Sequence, residues 1–250
     1  MEALFLKQFQ ALIGLCSRPP YSYMSLDSAL PDSTPSLISP ALPELPGIPT
    51  QTHLKLPLKL GILASGTGSN FEAIVNTIAT QQLHAQIQVL VYNNPDAKVV
   101  AKARKRDIPA ILLDHRCFAS REELDAQIAK VLHQFQVDLV VMAGWMRRVT
   151  QVLIDAFPDR ILNIHPSLLP SFPGIRAVEQ ALNAGVKISG CTVHVVRLEV
   201  DSGPIVMQAA VPVLPDDTPQ TLAARIQVQE HRIFPQSIAL YAIVKNSISE

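Results

Sequence analysis

The sequence predicts an α/β fold built on a mostly parallel, twisted sheet with helices on both faces. From Leu58 onward, short apolar runs alternate with longer amphipathic segments. This alternation is typical of βαβ units, whose strands are buried on both sides and therefore read as continuous apolar runs. The chain has 250 residues, 48% of them hydrophobic, which is enough for one domain with a sizeable core and an appendage.

The predicted elements follow one another in the order that such units require. Strands are expected near residues 58–64, 86–92, 109–113, 138–143 and 160–164. Helices are expected at 69–80, 96–107, 120–135 and 149–156, the third opened by a capping-box pattern of Ser120 and Glu123. Beyond a proline-rich loop at 166–173 we expect a helix at 175–184, β-rich runs at 190–199 and 205–213, and a last helix opening at Thr218-Pro219.

The first 57 residues differ in texture and form a separate predicted segment. They hold nine of the twenty prolines, among many Ser, Thr and Leu residues. A short helix over Glu2–Leu15 is compatible with this spacing, whereas residues 18–56 are expected to be a mobile, partly polyproline-like tail. The prediction is therefore an extension over residues 1–57 and a folded α/β domain over 58–250. The extension is either dispensable or a targeting or docking segment.

Composition excludes several classes of protein. Lys and Arg number 21 and balance 21 Asp and Glu, so neither a basic nucleic-acid binder nor an acidic disordered chain fits. No apolar run is long enough to cross a membrane. The three cysteines, Cys16, Cys117 and Cys191, have no pairing or zinc-ligand spacing. We expect a cytoplasmic protein acting on small molecules, although an organelle stays possible, and the sequence leaves monomer and homodimer open.

A glycine-rich turn between the first strand and the first helix is a candidate anion site. It reads Ser65-Gly66-Thr67-Gly68-Ser69-Asn70. Such a turn presents backbone N–H groups and a positive helix end, which favour a phosphate, although a tight turn without a ligand is the alternative. A dinucleotide site is disfavoured because Phe71 replaces the third glycine of the motif and Tyr92-Asn93-Asn94 lacks an acidic residue. A P-loop is excluded because the turn is not followed by Gly-Lys-Ser/Thr.

A second candidate site combines Asn163, His165 and Asp201. Asn163 and His165 are two residues apart near the end of a predicted strand, so their side chains share a face. An amide donor beside an imidazole can stabilise an oxyanion and handle a proton, and Asp201 can orient the ring. The plainer alternative is a structural histidine and an ordinary turn. The sequence contains no GxSxG motif, which disfavours a serine hydrolase. We expect no metal, because His165, His194, His231 and Asp201 share no ligand spacing; His194 is expected to pack in the sheet.

Taken together, three segments resemble the phosphoribosylglycinamide formyltransferases, folate-dependent enzymes of purine biosynthesis. The segments are Ala64–Asn70, Asn163–Pro170 and Asp201–Ile205. The resemblance covers residues 58–245 and implies a Rossmann-like formyltransferase fold. It also implies transfer of the formyl group of 10-formyltetrahydrofolate to the glycine amine of glycinamide ribonucleotide, in the synthesis of IMP, by direct transfer through a tetrahedral intermediate.

The resemblance also assigns residues to roles. It implies catalysis by Asn163, His165 and Asp201. The ribonucleotide would be bound by Gly68, Ser69, Asn70 and Glu230. The folate would be bound by Arg121, Met146, Arg147, Arg148, Val149, Asn163, Arg197, Leu198, Glu199 and Val200. The sequence departs from the family at Arg176, where a histidine is frequent, and Arg176 receives no role.

Three related functions are alternatives to this transferase. A formyltetrahydrofolate hydrolase shares the catalytic core but normally carries an N-terminal regulatory domain, which residues 1–57 do not resemble. A methionyl-tRNA formyltransferase would need an RNA-binding domain and a basic surface. A non-catalytic binder of folate or nucleotide would bind its ligand without turnover.

Overall fold

A computed structural model describes residues 37–39 and 56–248. The strands are β1 (Ile38–Ser39), β2 (Leu58–Ala64), β3 (Ala85–Tyr92), β4 (Ala110–Leu112), β5 (Leu139–Met142), β6 (Ile161–His165), β7 (Ile188–Val195) and β8 (Ile205–Pro212). The helices are α1 (Ser69–Ala79), α2 (Val99–Arg104), α3 (Arg121–Gln134), α4 (Gln151–Ala156), α5 (Ala177–Asn183) and α6 (Pro219–Ile248), with a 3₁₀ turn at His115–Cys117. No helix in this part of the chain is long and apolar enough to cross a bilayer.

The described strands form one mixed sheet. Their order is β1-β8-β7-β6-β5-β2-β3-β4. The run from β6 to β4 is parallel, whereas β7, β8 and β1 are added antiparallel. The chain leaves β2 first toward β3 and β4 and then returns to its other side at β5, which makes the β2/β5 boundary a topological switch point. The predicted fold class is confirmed.

The central strands are buried on both faces, which explains their continuous apolar reading. On one face, alternate residues of β2 pack with α1 and α6; the members include Leu60, Ile62, Phe71, Ile226 and Phe234. On the other face the intervening residues pack with α3 and the segment around α4; the members include Leu63, Val140, Met142, Ile128 and Leu153. This period of two, repeated in neighbouring strands, places helices on both sides of the sheet.

The helix ends show which local signals operate. The Ser120 hydroxyl accepts a hydrogen bond from the N–H of Glu123 at 3.1 Å, as the capping-box pattern predicts. The Glu123 carboxylate accepts its bond, at 2.9 Å, from Ala119, the residue before the cap. Thr218 caps α6 by accepting from the Thr221 N–H at 3.2 Å. The helix predicted over 96–107 is shorter, because it spans only Val99–Arg104.

The expectation of a polyproline-like tail over residues 18–56 is wrong at β1. Ile38 and Ser39 pair antiparallel with Ala209 and Gln208 of β8, and the Ala210 N–H donates to the Leu37 carbonyl at 3.0 Å. The physical reason is the edge that β8 would otherwise expose, since residues 205–213 carry no charge and an uncharged edge strand attracts pairing. The predicted helix over Glu2–Leu15 lies outside the described residues.

We expect Ile38→Asp to release β1 from the sheet. Ile38 is partly buried and packs against the main core, so an aspartate there loses about 1 kcal/mol of apolar contact. Hydrogen exchange of the Ala210 amide should accelerate about fivefold or more. The matched control is Leu37→Asp, since Leu37 is 74% exposed and its substitution should leave Ala210 protected. Equal exchange in both variants and the wild type would show that the Ile38 side chain does not hold β1.

Candidate active site

A cavity of about 650 Å³ opens beside the C-terminal ends of β5 and β6. Its wall carries four polar side chains that converge from three segments, namely Asn163, His165, His194 and Asp201. Asn163 and His165 come from β6, and His194 from the adjacent antiparallel strand β7. Open α/β sheets bind ligands at this edge, so the fold itself brings the predicted catalytic residues to one place.

His165 lies between two hydrogen-bond acceptors. Its Nε2 is 2.9 Å from the Phe172 carbonyl oxygen, and its Nδ1 is 3.3 Å from Oδ2 of Asp201. A carbonyl and a carboxylate can only accept, so a protonated ring donates at both nitrogens. The Asp201 contact fixes the orientation of the ring, and a reacting group would have to replace the Phe172 carbonyl to reach Nε2. Phe172 reaches this position with a φ of 56°, a left-handed conformation that is uncommon for a bulky residue.

Asp201 joins three segments of the chain. Besides His165, it lies 3.6 Å from Nε2 of His194 and accepts a hydrogen bond of 2.7 Å from the Gly174 N–H. Burial pushes the pKa of Asp201 upward, but the neighbouring His194 ring, the Gly174 N–H and His165 together hold this pKa below the ordinary value for an aspartate. The carboxylate is therefore ionised beside the histidines.

The turn that carries Asp201 depends on a glycine. A Cβ atom on Gly203 would lie 1.7 Å from the carbonyl oxygen of Val195. Only a residue without a side chain lets this turn lie so close to β7. The turn in Asp201-Ser202-Gly203-Pro204 therefore holds Asp201 close to β6 and β7, the strands that carry His165 and His194.

His194 is a site residue that the sequence analysis missed. It packs in the sheet as expected, with 2% of its surface exposed, yet its Nε2 is also 3.1 Å from Nδ2 of Asn163. Its Nδ1 lies 3.2 Å from the Val195 carbonyl oxygen, which can only accept, so Nδ1 carries a proton, and Nε2 faces both the Asn163 amide and the Asp201 carboxylate. His194 thereby orients Asn163. Only the β6/β7 register, which pairs these two residues, reveals the contact.

The glycine-rich turn forms a cradle at the start of α1. Gly68 has a φ of 72°, and a Cβ there would lie 2.5 Å from Val99, so glycine is required on both grounds. The Ser69 hydroxyl accepts a hydrogen bond of 3.0 Å from the Gln227 side chain on α6. Gln227 is a second residue that the sequence analysis did not select; a polar side chain on one face of a long helix gave no signal.

Glu230 of α6 lies against this cradle. Its carboxylate accepts a hydrogen bond of 2.9 Å from Asn70 across 160 residues of sequence, and only 9% of Glu230 is exposed. Burial raises the pKa of Glu230, although the Asn70 hydrogen bond opposes the shift. Its charge alone would predict a position on the solvated face of a helix, but Glu230 is buried.

The residues that the family resemblance assigns to folate fall into two groups. Most line the cavity, namely Met146, Arg147, Arg148, Val149, Asn163, Arg197, Leu198 and Val200. Arg197 is also paired with Asp159. Arg121 and Glu199 are not on this cavity wall; Arg121 is exposed at the start of α3. Arg176, which had no assigned role, does line the cavity.

The fold and the site together define a class of protein. A sheet with a switch point, a glycine-rich turn after its first long strand and an Asn–His–Asp cluster beside a cavity fit the framework of an α/β group-transfer enzyme. Residues 58–238 match the family model described as formyl transferase. The chain belongs to the formyl transferase family.

Individual relatives agree with this assignment. Phosphoribosylglycinamide formyltransferase of Bacillus subtilis is 41% identical over 180 residues, which are 72% of this chain and 92% of the relative. The trifunctional purine biosynthetic protein adenosine-3 of Gallus gallus is 43% identical over 185 residues, which are 74% of this chain but only 18% of the relative. The chain thus spans less than a fifth of that trifunctional protein.

Solved structures show the same similarity. Glycinamide ribonucleotide transformylase 1 of Symbiobacterium toebii superposes with a TM-score of 0.73 at 46% identity, covering 74% of this chain and 88% of that one. Phosphoribosylglycinamide formyltransferase of Bacillus halodurans gives a TM-score of 0.71 at 42% identity, covering 72% and 93%.

We expect His194 to be needed as a hydrogen-bonding partner of Asn163 and not only for its volume. His194→Leu leaves the partly buried Asn163 amide without its partner at Nε2, a loss of about 1–3 kcal/mol. Formyl transfer should fall on the order of tenfold to a hundredfold. His194→Gln is the matched control, because its side-chain amide can still hydrogen-bond Asn163, and this variant should retain most of the turnover number. Equal losses in both variants, at unchanged thermal stability, would argue against this orienting role.

We expect the buried carboxylate of Glu230 to lower the stability of the protein as pH rises. With a raised pKa in the folded state, the unfolded chain loses its proton first, near the ordinary value of 4.5. The free energy of unfolding therefore falls, relative to Glu230→Gln, from about pH 4.5 up to the folded pKa, and levels off above it. Urea unfolding of both proteins from pH 4 to 8 measures the difference.

The control for this prediction is Glu72→Gln. Glu72 is exposed, and its hydrogen bond with Lys102 lowers its pKa, so its small contribution has the opposite sign and is lost as pH falls. A pH-independent difference between the wild type and Glu230→Gln would mean that solvent reaches the carboxylate.

Proposed function

We propose that the protein transfers the formyl group of 10-formyltetrahydrofolate to the glycine amine of N1-(5-phosphoribosyl)glycinamide. The products are the N-formyl ribonucleotide and tetrahydrofolate, in the de novo synthesis of IMP. Both reactants are small molecules, and we place the reaction in the cytoplasm. The observation that carries the proposal is the convergence of Asn163, His165 and Asp201 on one cavity wall.

On this proposal, the cradle at the start of α1 binds the phosphate of the ribonucleotide. Gly68, Ser69 and Asn70 lie at the N-terminus of a helix of 11 residues, where free N–H groups and the helix dipole favour an anion. Glu230 is tied to this cradle through Asn70. Its carboxylate would accept a hydrogen bond from the incoming amine.

The folate donor would occupy the cavity. Backbone groups of residues 146–149 would meet its pteridine ring, and residues 197–200 would form the opposite wall. Arg121, outside the cavity wall, would contact the benzoylglutamate end of the molecule. The donor supplies a formyl carbon as the electrophile, and the chemistry then depends on what the protein does with charge and protons.

The protein's part of the reaction follows from the geometry. Asn163 donates an N–H to the formyl oxygen as negative charge develops on it, and protonated His165 donates a second hydrogen bond from Nε2, in exchange for the one to the Phe172 carbonyl. Asp201 stabilises the imidazolium through its ionised carboxylate. As the amine bonds to the carbon, its proton passes toward the departing folate nitrogen, with His165 and Asp201 as the relay. His194 keeps the Asn163 amide turned toward the reaction.

We expect consumption of the 10-formyl donor to require the ribonucleotide. The measurement follows the donor with and without glycinamide ribonucleotide and identifies the product. Formyl ribonucleotide in the complete reaction, with little formate otherwise, is the expected result. Formate release without the ribonucleotide would indicate a hydrolase, and ligand binding without consumption would indicate a non-catalytic binder.

Asn163→Ala is the matched variant for this assay. Removal of one oxyanion donor typically costs about 10² to 10³ in rate, so turnover should fall by that factor while both reactants still bind. Unchanged turnover would remove Asn163 from the mechanism, whereas loss of binding with normal turnover would make it a binding residue.

A further inference from the structure

Ser65 lies between two segments that the proposed function assigns to different reactants. It follows β2 and opens the glycine-rich turn of the ribonucleotide cradle. Its N–H donates to the Gly144 carbonyl at 3.0 Å, and its hydroxyl accepts from the Met146 N–H at 2.9 Å. Gly144 and Met146 follow β5 and belong to the part of the cavity lining formed by residues 144–149, which we call the folate wall. Ser65 thus donates one hydrogen bond and accepts another across the switch point between the neighbouring parallel strands β2 and β5.

The bond to Met146 depends on the serine side chain. The Met146 side chain is 78% exposed and does not anchor the wall, so the backbone of this residue is held through its N–H. A substitution by alanine would remove that acceptor and leave the Ser65-to-Gly144 backbone bond in place. Ser65 is therefore the side chain that sets the wall against the cradle at this point.

The far end of the wall is held by a different element. The N–H of Thr150 donates to Asp125 of α3 at 2.5 Å, and Asp125 is 2% exposed. α3 lies on the opposite face of the sheet from α1 and α6. Asp125 therefore attaches the wall to α3 and not to the cradle at the start of α1. Within residues 37–39 and 56–248, the Ser65 end is where hydrogen bonds tie the wall directly to the segment that holds the other reactant.

We propose that Ser65 is a positioning residue that holds the folate wall in register with the ribonucleotide cradle. This inference rests on the proposed function. Two reactants bound on separate segments react only when amine and formyl carbon meet at close range, and a misplacement of about 1 Å can cost on the order of a hundredfold in rate. Ser65 therefore affects the reaction of the bound pair more than the binding of either partner.

The test compares Ser65→Ala with Ser65→Thr, which keeps the hydroxyl, and with Thr80→Ala. Thr80 is an exposed residue at the end of α1 whose hydroxyl donates to a backbone carbonyl, that of Asn76 at 3.0 Å, so the control likewise removes a hydroxyl bonded to the backbone, at a position that does not line the cavity. In Ser65→Ala we expect kcat to fall about tenfold, KM for each reactant to change by less than about threefold, and exchange of the Met146 amide to accelerate. Ser65→Thr should restore all three, and Thr80→Ala should change none.

Two outcomes would overturn the role of Ser65 while leaving the proposed function intact. One is an unchanged kcat in Ser65→Ala despite faster exchange at Met146. The other is an increase in KM for a single reactant at normal kcat, which would make Ser65 an ordinary binding contact. Absence of formyl transfer by the unaltered protein would instead overturn the proposed function, and the positioning role with it.

Discussion

The ionised carboxylate of Asp201 is the interaction on which the site depends. It reaches His165 on β6, His194 on β7 and the backbone of Gly174 in the following loop. A buried charge is costly unless every lone pair is used, and here three segments supply the partners. Removing any one partner would leave the carboxylate under-compensated, so strand register, turn and loop conformation are mutually dependent.

The same interdependence explains how much of the molecule the sequence could predict. The order of strands and helices, the capping of α3 and the start of α6 depend on local patterns, and the structure agrees with them. Asn163 and His165 could be paired because a spacing of two residues on a strand already fixes a common face. The cradle was predictable for a similar reason, since strand, glycine-rich turn and helix are contiguous.

What could not be predicted depends on long-range register. His194 meets Asn163 only because β6 and β7 align in one particular register, and nothing within Thr192-Val193-His194-Val195 marks it. Gln227 meets Ser69 across 158 residues. The β1 strand was missed because two residues in a proline-rich segment carry no usable alternation; their pairing is set by the exposed edge of β8 and not by their own sequence.

The net charge of the chain does not show how the charged side chains are distributed in the folded protein. The total is zero, yet four arginines, Arg147, Arg148, Arg176 and Arg197, line one cavity, and among the residues described only Arg197 of these four has an acidic side-chain partner. A local excess of positive charge beside low-dielectric walls attracts anions more strongly than a uniform surface would. Arg176 contributes to this field from a left-handed backbone position, with a φ of 57° at the start of α5, so its departure from the family pattern adds positive charge at the cavity without altering the Asn163, His165 and Asp201 cluster.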